Sequence, residues 1–506
     1  MRGILFVLLT CALGAIPAPL AAQEAPMLLS DPRARMSLDS ARTQLLALRM
    51  PEGERTLRRL ASHPEGAPAA YYHLAAASML KVLLTGQDPY FDEFFERSDS
   101  FKAILDDLPS SPWRTFLGAE ANLQRAIVRA KQGHYVRAAL ATRLSYRAFN
   151  KGVEEAPGFY ESYKGLGLLH LAIGSLPKSY RRLLRVIGYG GELEEGLEEL
   201  RLAASRSGYN RAEARIYLSL TDILLQEAKE DGAMQLGALY EASPESPFFA
   251  FLYGFALISA RRTAEAETVL LKAARTAEDP AYLYIDYIDY QLAEARFRLG
   301  RFAVAIPDYE RYLARHEGPA LKALTHLHLG LALEMTDRRA EAVVHYQHVQ
   351  AARDFDSDAS AKREADIRLA RPLSAWERSL MFGRSAFDSG QNREAERLFL
   401  EVMSGSGTTA AERGEASYRL GRVYHTDGRW EEALQAYSKA ADAPGDPFAK
   451  WGPWARYYMG EVEWARGNAL AARVAFEAVI GYTPPYDYHQ VLEKKAQHAL
   501  TMLKDL

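Results

Sequence analysis

The sequence predicts an all-α chain in which antiparallel helix hairpins stack in series as a right-handed solenoid. Three observations predict it. A small residue recurs at Gly254, Ala293, Gly330, Gly383, Gly421 and Gly460, with spacings of 39, 37, 53, 38 and 39 residues. A turn and a second small-then-bulky pair follow each, as in Gly428, Ala433 and Tyr437. No strand-rich block interrupts the helical periodicity. The 506 residues are 48% hydrophobic and 25% charged, which supplies ample core and excludes wholesale disorder. A formal net charge of -3 excludes a global field for nucleic acid or an anionic bilayer. The single cysteine excludes disulfide frameworks and multi-cysteine metal sites.

The first element reads as an address. Arg2 precedes an apolar run from Ile4 to Leu13, too short for the ~20 residues a bilayer requires. Pro17 and Pro19 then break it, and the small Ala21 and Ala22 precede a polar stretch. Residues 1–22 are therefore expected to be a signal peptide that exports the chain to the periplasm or the outer-membrane region. Cys11 lies inside the apolar run after Thr10, a poor context for lipidation, and is expected to leave with the signal. The remaining chain carries no apolar run of ~18 residues, so no transmembrane helix is expected.

Residues 23–246 read as divergent helical repeats. Pro51 splits a short pair between Ser37 and Leu60, Asp88-Pro89 divides a pair over residues 70–108, and Gly133-His134-Tyr135 with Ala138 and Ala139 supplies a turn and second helix. Asp231-Gly232 is expected to interrupt a degenerate unit between Ala212 and Tyr240. An additional short helix is expected near residues 177–189. Pro177 bounds it, Gly188, Gly190 and Gly191 turn the chain, and Glu192–Ser205 follows with acids in its first turn.

Residues 247–506 read as six regular repeats and a C-terminal capping helix. The fourth spacing is long because a polar loop at Asp354–Asp358 leads into a further helix near Ala361–Leu369. Gly421 and Ala433 are small where two helices cross, Tyr424 and Tyr437 are expected to fill the gap to the next hairpin, and Gly428 permits a left-handed turn. One hairpin cannot bury its apolar face alone, so neighbours must stack. This pattern over roughly 247–484 resembles the tetratricopeptide repeat superfamily. It departs at Arg296 and Glu463, where that family carries an aromatic or aliphatic residue. The run from Gly165 to Leu200 also resembles the tetratricopeptide repeat protein 39 family, which includes the yeast mitochondrial outer-membrane inclusion-body clearance proteins. That resemblance implies fold, not activity.

Motifs for catalysis are sparse. No G-x-S-x-G, H-E-x-x-H or P-loop occurs, and no cofactor or metal site is expected. His326, His328, His345 and His348 share one hairpin. His345 and His348 are three apart, but His326 and His328 face differently, so scattered surface histidines are expected. Glu161-Ser162 matches a dipeptide of lytic transglycosylases, yet it sits early in a repeat helix without a catalytic domain around it.

The superfamily resemblance implies a concave groove lined by the first helix of each pair, at offsets −3, +1 and +4 from the small residue. Those offsets, with the position one helical turn earlier at Tyr287 and Trp454, give Tyr287, Tyr290, Glu294, Phe297, Arg384, Phe387, Tyr418, Arg422, His425, Trp454, Tyr457, Glu461 and Trp464 as the expected partner-binding residues. Rings beside isolated charges suit peptides or glycans. The Lys and Asn residues of carboxylate-clamp repeats are absent from these positions. Tyr284, Tyr287 and Tyr290 at helical spacing form a stripe beside Asp286 and Asp289, by default core. The expected function is that of an exported, non-catalytic scaffold holding a partner protein or peptide. A glycan-binding envelope module is the alternative, and a cell-wall hydrolase a more distant one.

Overall fold

The computed structural model describes residues 28–503, except 177, 187, 225–227, 319, 351–355, 444–449 and 484–485. The expected signal peptide, Cys11 and Pro177 lie outside the described residues, as do Asp354 and Phe355 of the polar loop. The described residues form 25 helices and no strand, the hairpin-solenoid class that the spacing predicts. No described helix is long and apolar enough to cross a membrane.

The chain divides into two compact units. The first holds the described residues up to Ala260 together with Thr268–Gln291 and Ala314–Gly318. The second holds Arg261–Glu267, Leu292–Leu313 and the described residues after Gly318.

In the first unit the predicted breakers start helices instead of merely separating them. Pro51 and Pro89 occupy the first turns of Met50–Ala61 and Asp88–Asp106, where a missing backbone N–H costs nothing. Pro112–Lys131 and Tyr135–Glu155 pair around Gly133 at φ 79°. The additional helix is Lys178–Val186. Glu192 then caps Leu193–Arg206 through a capping box with Glu195. One expectation fails. Gly232 does not interrupt its unit but lies inside Lys229–Ala242. A Cβ there would stand 2.5 Å from Ile223 Cγ1 and 2.7 Å from Ser219 O, so the glycine permits close helix approach.

The second unit shows why the small residues recur. A Cβ at Gly330, Gly383, Gly421 or Gly460 would lie 2.5–2.6 Å from a ring carbon of Tyr346, Phe399, Tyr437 or Phe476. Each ring sits sixteen residues after its glycine and is 0% exposed. Ala293 stands sixteen residues before the equally buried Tyr309, and in the first unit Gly254 stands sixteen before Leu270. Beyond its expected role, the Tyr437 ring fills the space over its own hairpin's glycine. It also stacks on Tyr458 of the following hairpin, with ring centres 5.9 Å apart.

Seven residues beyond each small residue the chain turns left-handed. Gly300, Gly390, Gly428 and Gly467 take φ of 72–80°, but Arg261 and Asp337 occupy the same place with φ of 63° and 61°. The long spacing is filled by the helix Asp356–Ala370, as expected. Arg296, flagged as a departure, is satisfied by Asp308 and Glu267, with its Nε 3.2 Å from the latter.

Candidate functional site: a cleft and cationic face in the second unit

First helices of three hairpins, Tyr287–Arg298, Lys322–Met335 and Ala375–Asp388, contribute to a small cleft of about 60 Å³, partly open to solvent. Its walls are Glu294, Phe297 and Arg298, then His328, then Met381, Arg384, Ser385 and Asp388. Glu294 is buried at its base. Tyr309 OH donates to Glu294 Oε1 at 2.6 Å, and His328 Nδ1 meets the same oxygen. Arg298 Nε stands 3.7 Å from Oε2. Burial pushes the Glu294 carboxyl up, but His328, Arg298 and Tyr309 outweigh it and hold it near about 2. The His328 ring lies flat on Phe297, with centres 5.1 Å apart and planes 13° apart. Glu294 is thus a fixed anion that anchors the imidazole and the ring above it.

Arg384 differs from its neighbours. Its side chain is exposed in the cleft and makes no hydrogen bond or ion pair among the described residues. The crowding of the surface and the charge of Arg419 depress its basicity. Arg419 binds Glu415 at 2.6 Å and lies 4.8 Å from the centre of the Trp451 ring. Lys450 Nζ approaches the same ring at 5.1 Å and Tyr488 at 5.1 Å. Burial, Arg384 and Arg419 together pull the Lys450 ammonium down to about 8. Three cations therefore share this surface with the carboxylates of Glu415, Glu364 and Asp388.

The thirteen expected groove residues divide. Tyr287 and Tyr290 belong to the first unit and are each 4% exposed, with Tyr287 packed on Phe251 and His316. The expected tyrosine stripe is not continuous, because Tyr284 precedes the helix and donates to Asp289 at 2.6 Å. In the second unit Glu294, Phe297 and Arg384 meet in the cleft. Phe387 is covered by the Arg261 guanidinium at 3.7 Å, and Arg422 lies 3.8 Å over Tyr458. Tyr418 is buried beside Trp451, and His425 points Nδ1 at Tyr437 OH at 3.3 Å. Tyr457 donates to Glu461 at 2.7 Å. Trp454 and Trp464 are half-exposed, packed on Tyr458 and edge-on to Phe476.

Arg298, His328, Ser385, Asp388 and Arg419 escaped the offsets. They stand at −2, +2 or +5 from their small residues, so the helix face turned to the cleft is broader than the three chosen offsets. That width was available from the 100° step of the helix. Lys450 precedes its helix and carried no periodic signal.

Two other constellations resolve differently from one another. Glu161 is 4% exposed, and it accepts from the backbone N–H groups of Gly208, Tyr209 and Asn210 at 2.9 Å each and from Ser207 Oγ. Its carboxylate organises a turn, as the structural reading of Glu161-Ser162 expects. The histidines, by contrast, are not scattered. His326 Nδ1 lies 3.0 Å from His345 Nδ1, and the His326 ring centre is 4.9 Å from that of His348. Burial and the two neighbours pull His326 down to about 4.

The family description "Tetratricopeptide repeat" matches two segments, residues 290–357 and 380–447, which span the cleft helices. No curated protein matches the chain. Among solved structures, a tetratricopeptide repeat protein from Parabacteroides merdae is 15% identical with a TM-score of 0.23, covering 58% of this chain and 98% of that one. The Cut9 and Hcn1 hetero-tetramer of the APC/C is 13% identical with a TM-score of 0.26, covering 93% and 96%. Yeast Tom70 is 12% identical with a TM-score of 0.28, covering 93% and 96%.

Proposed function

We propose that the tetratricopeptide hairpins of the second unit are a non-catalytic scaffold that holds an extended protein segment through its acidic side chains. The observation that carries this reading is Arg384, an exposed arginine without an ion pair among the described residues, beside Arg419 and Lys450. An acidic side chain entering the cleft would give Arg384 the direct ion pair that Asp388, Glu415 and Glu364 do not make, and the Phe297–His328 stack would take an apolar neighbour. The carboxylate-clamp residues are absent, so recognition runs through side chains and not through a chain terminus. A glycan is supported less well, because the faces of Trp451 are approached by Arg419, Lys450 and Tyr418, which leaves little room for a sugar ring. Residues 1–22 support export to the cell envelope as the setting. Cell fractionation would find the chain outside the cytoplasm, and retention with the full N-terminus would reject that setting.

The test is site-specific photo-crosslinking in the native envelope. A crosslinker at Asp388, on the cleft wall, should trap one defined protein, whereas one at the exposed Leu400 should not. Arg384→Glu combined with Lys450→Glu should abolish the adduct with unchanged helicity. Equal trapping at both positions, or an adduct that survives charge reversal, would reject the reading.

A further inference from the structure

In the first unit, His170 on Glu161–Gly174 faces two acids of Leu193–Arg206. His170 Nδ1 lies 2.8 Å from Glu199 Oε2 and 3.8 Å from Glu195 Oε1, and one ligand atom from each residue lies within 4.8 Å of the others. Tetrahedral bonds of ~2.0–2.1 Å would set such atoms ~3.3 Å apart, between the two observed separations. Local structure fixes each group in advance. Gly191, at φ 136°, lies against the imidazole so closely that a Cβ would stand 2.7 Å from His170 Cδ2. Tyr146 meets the ring edge-on at 5.7 Å and accepts from Gly190 N at 2.9 Å. Glu195 gives Oε2 to the capping box at Glu192 N and leaves Oε1 turned to His170.

The charge balance points the same way. Neither Glu195 nor Glu199 has a Lys or Arg ion-pair partner among the described residues, and Glu198 adds to the field at Glu199. His170 is 3% exposed, yet the Glu195 side chain is 52% exposed, which gives a solvent route and an open coordination position for water.

We propose that His170, Glu195 and Glu199 bind a divalent transition-metal cation of the zinc class through one imidazole nitrogen and two carboxylate oxygens. The nitrogen donor favours zinc or cobalt over magnesium, calcium and manganese. Such an ion would pin the additional helix segment between the two helices, a structural role.

The test uses the full chain, stripped with chelator and titrated with cobalt(II) and with zinc(II). Expected are visible cobalt absorption saturating at one equivalent and a melting temperature that rises with zinc concentration. Glu195→Gln keeps the carbonyl acceptor that the cap requires but removes the anionic ligand, so it should fold normally and weaken binding at least ~10-fold. His348→Ala controls for the second histidine cluster and should change nothing. No cobalt spectrum, binding unaffected by Glu195→Gln, or binding lost only in His348→Ala would each overturn the proposal.

Discussion

Replacing Gly421 with alanine tests the hairpin register directly. The added Cβ would stand 2.5 Å, 2.6 Å and 3.0 Å from Cδ1, Cε1 and Cγ of Tyr437, where ordinary contact begins near 3.4 Å. The ring would have to withdraw by about 0.9 Å, but it is 0% exposed and stacked on Tyr458. Overpacking of this kind costs ~1–3 kcal/mol. Alanine also recovers about 1 kcal/mol of helix propensity, so a net loss of up to ~2 kcal/mol is expected. Gly118 supplies the control. It lies within Pro112–Lys131 and has nothing within 4 Å of its notional Cβ, so Gly118→Ala should gain about 1 kcal/mol. Urea denaturation followed by circular dichroism at several wavelengths would measure both, with coincident transitions required before midpoints are compared. If the two alanines shift the midpoint in the same direction, the glycine is not there for the ring.

Further outcomes follow from the same geometry. Asp337→Gly should stabilise by up to ~1 kcal/mol, since Asp337 holds φ 61° and its contact to Arg378 is a largely exposed ion pair; Arg261→Gly should gain less or lose, because Arg261 Nε donates to Phe387 O at 2.7 Å. Burial pushes Glu377 up, but Arg371, Arg368 and Ser374 N outweigh it and hold it at about 2, against 4.5 unfolded. Its contribution, about 3 kcal/mol at most, is present above pH 4.5 and fades as pH falls through about 2. Acid titration of Glu377→Gln should therefore show a shallower loss of stability below pH 4.5. Lys164 lies 2.9 Å from Glu120 and 2.8 Å from Glu213, all nearly sealed, so Lys164→Met should cost ~3–5 kcal/mol at neutral pH. That penalty should shrink on acidification, as the stranded carboxylates take up protons in the folded state; a penalty independent of pH would contradict the charge argument.

The helix pairs were legible because each rests on local chemistry. Pro51, Pro89 and Gly133 mark element ends by their own backbone preferences, and the recurring glycines announce where helices meet. What the glycines meet was not legible. The sixteen-residue partner follows only from two helices of fixed length folded about a seven-residue offset, so the spacing predicts Tyr437 against the next hairpin, where it stacks on Tyr458, but not its contact over Gly421. The groove was legible in part for a similar reason. Glu294, Phe297 and Arg384 follow from helix phase, but Lys450 reaches the face from outside a helix. The burial of Tyr287 depends on Phe251 and His316, distant in the chain. Gly232 misled because a glycine that breaks a helix and one that lets another backbone approach look alike in sequence.

Trp451, between a guanidinium and an ammonium, carries one more consequence. Charges held close to an indole perturb its excited state, and neutralising Lys450 or Arg419 would change that local field. The chain's own fluorescence thereby becomes a label-free gauge of occupancy, with a Trp451→Phe protein as the silent reference against which the other five indoles are subtracted.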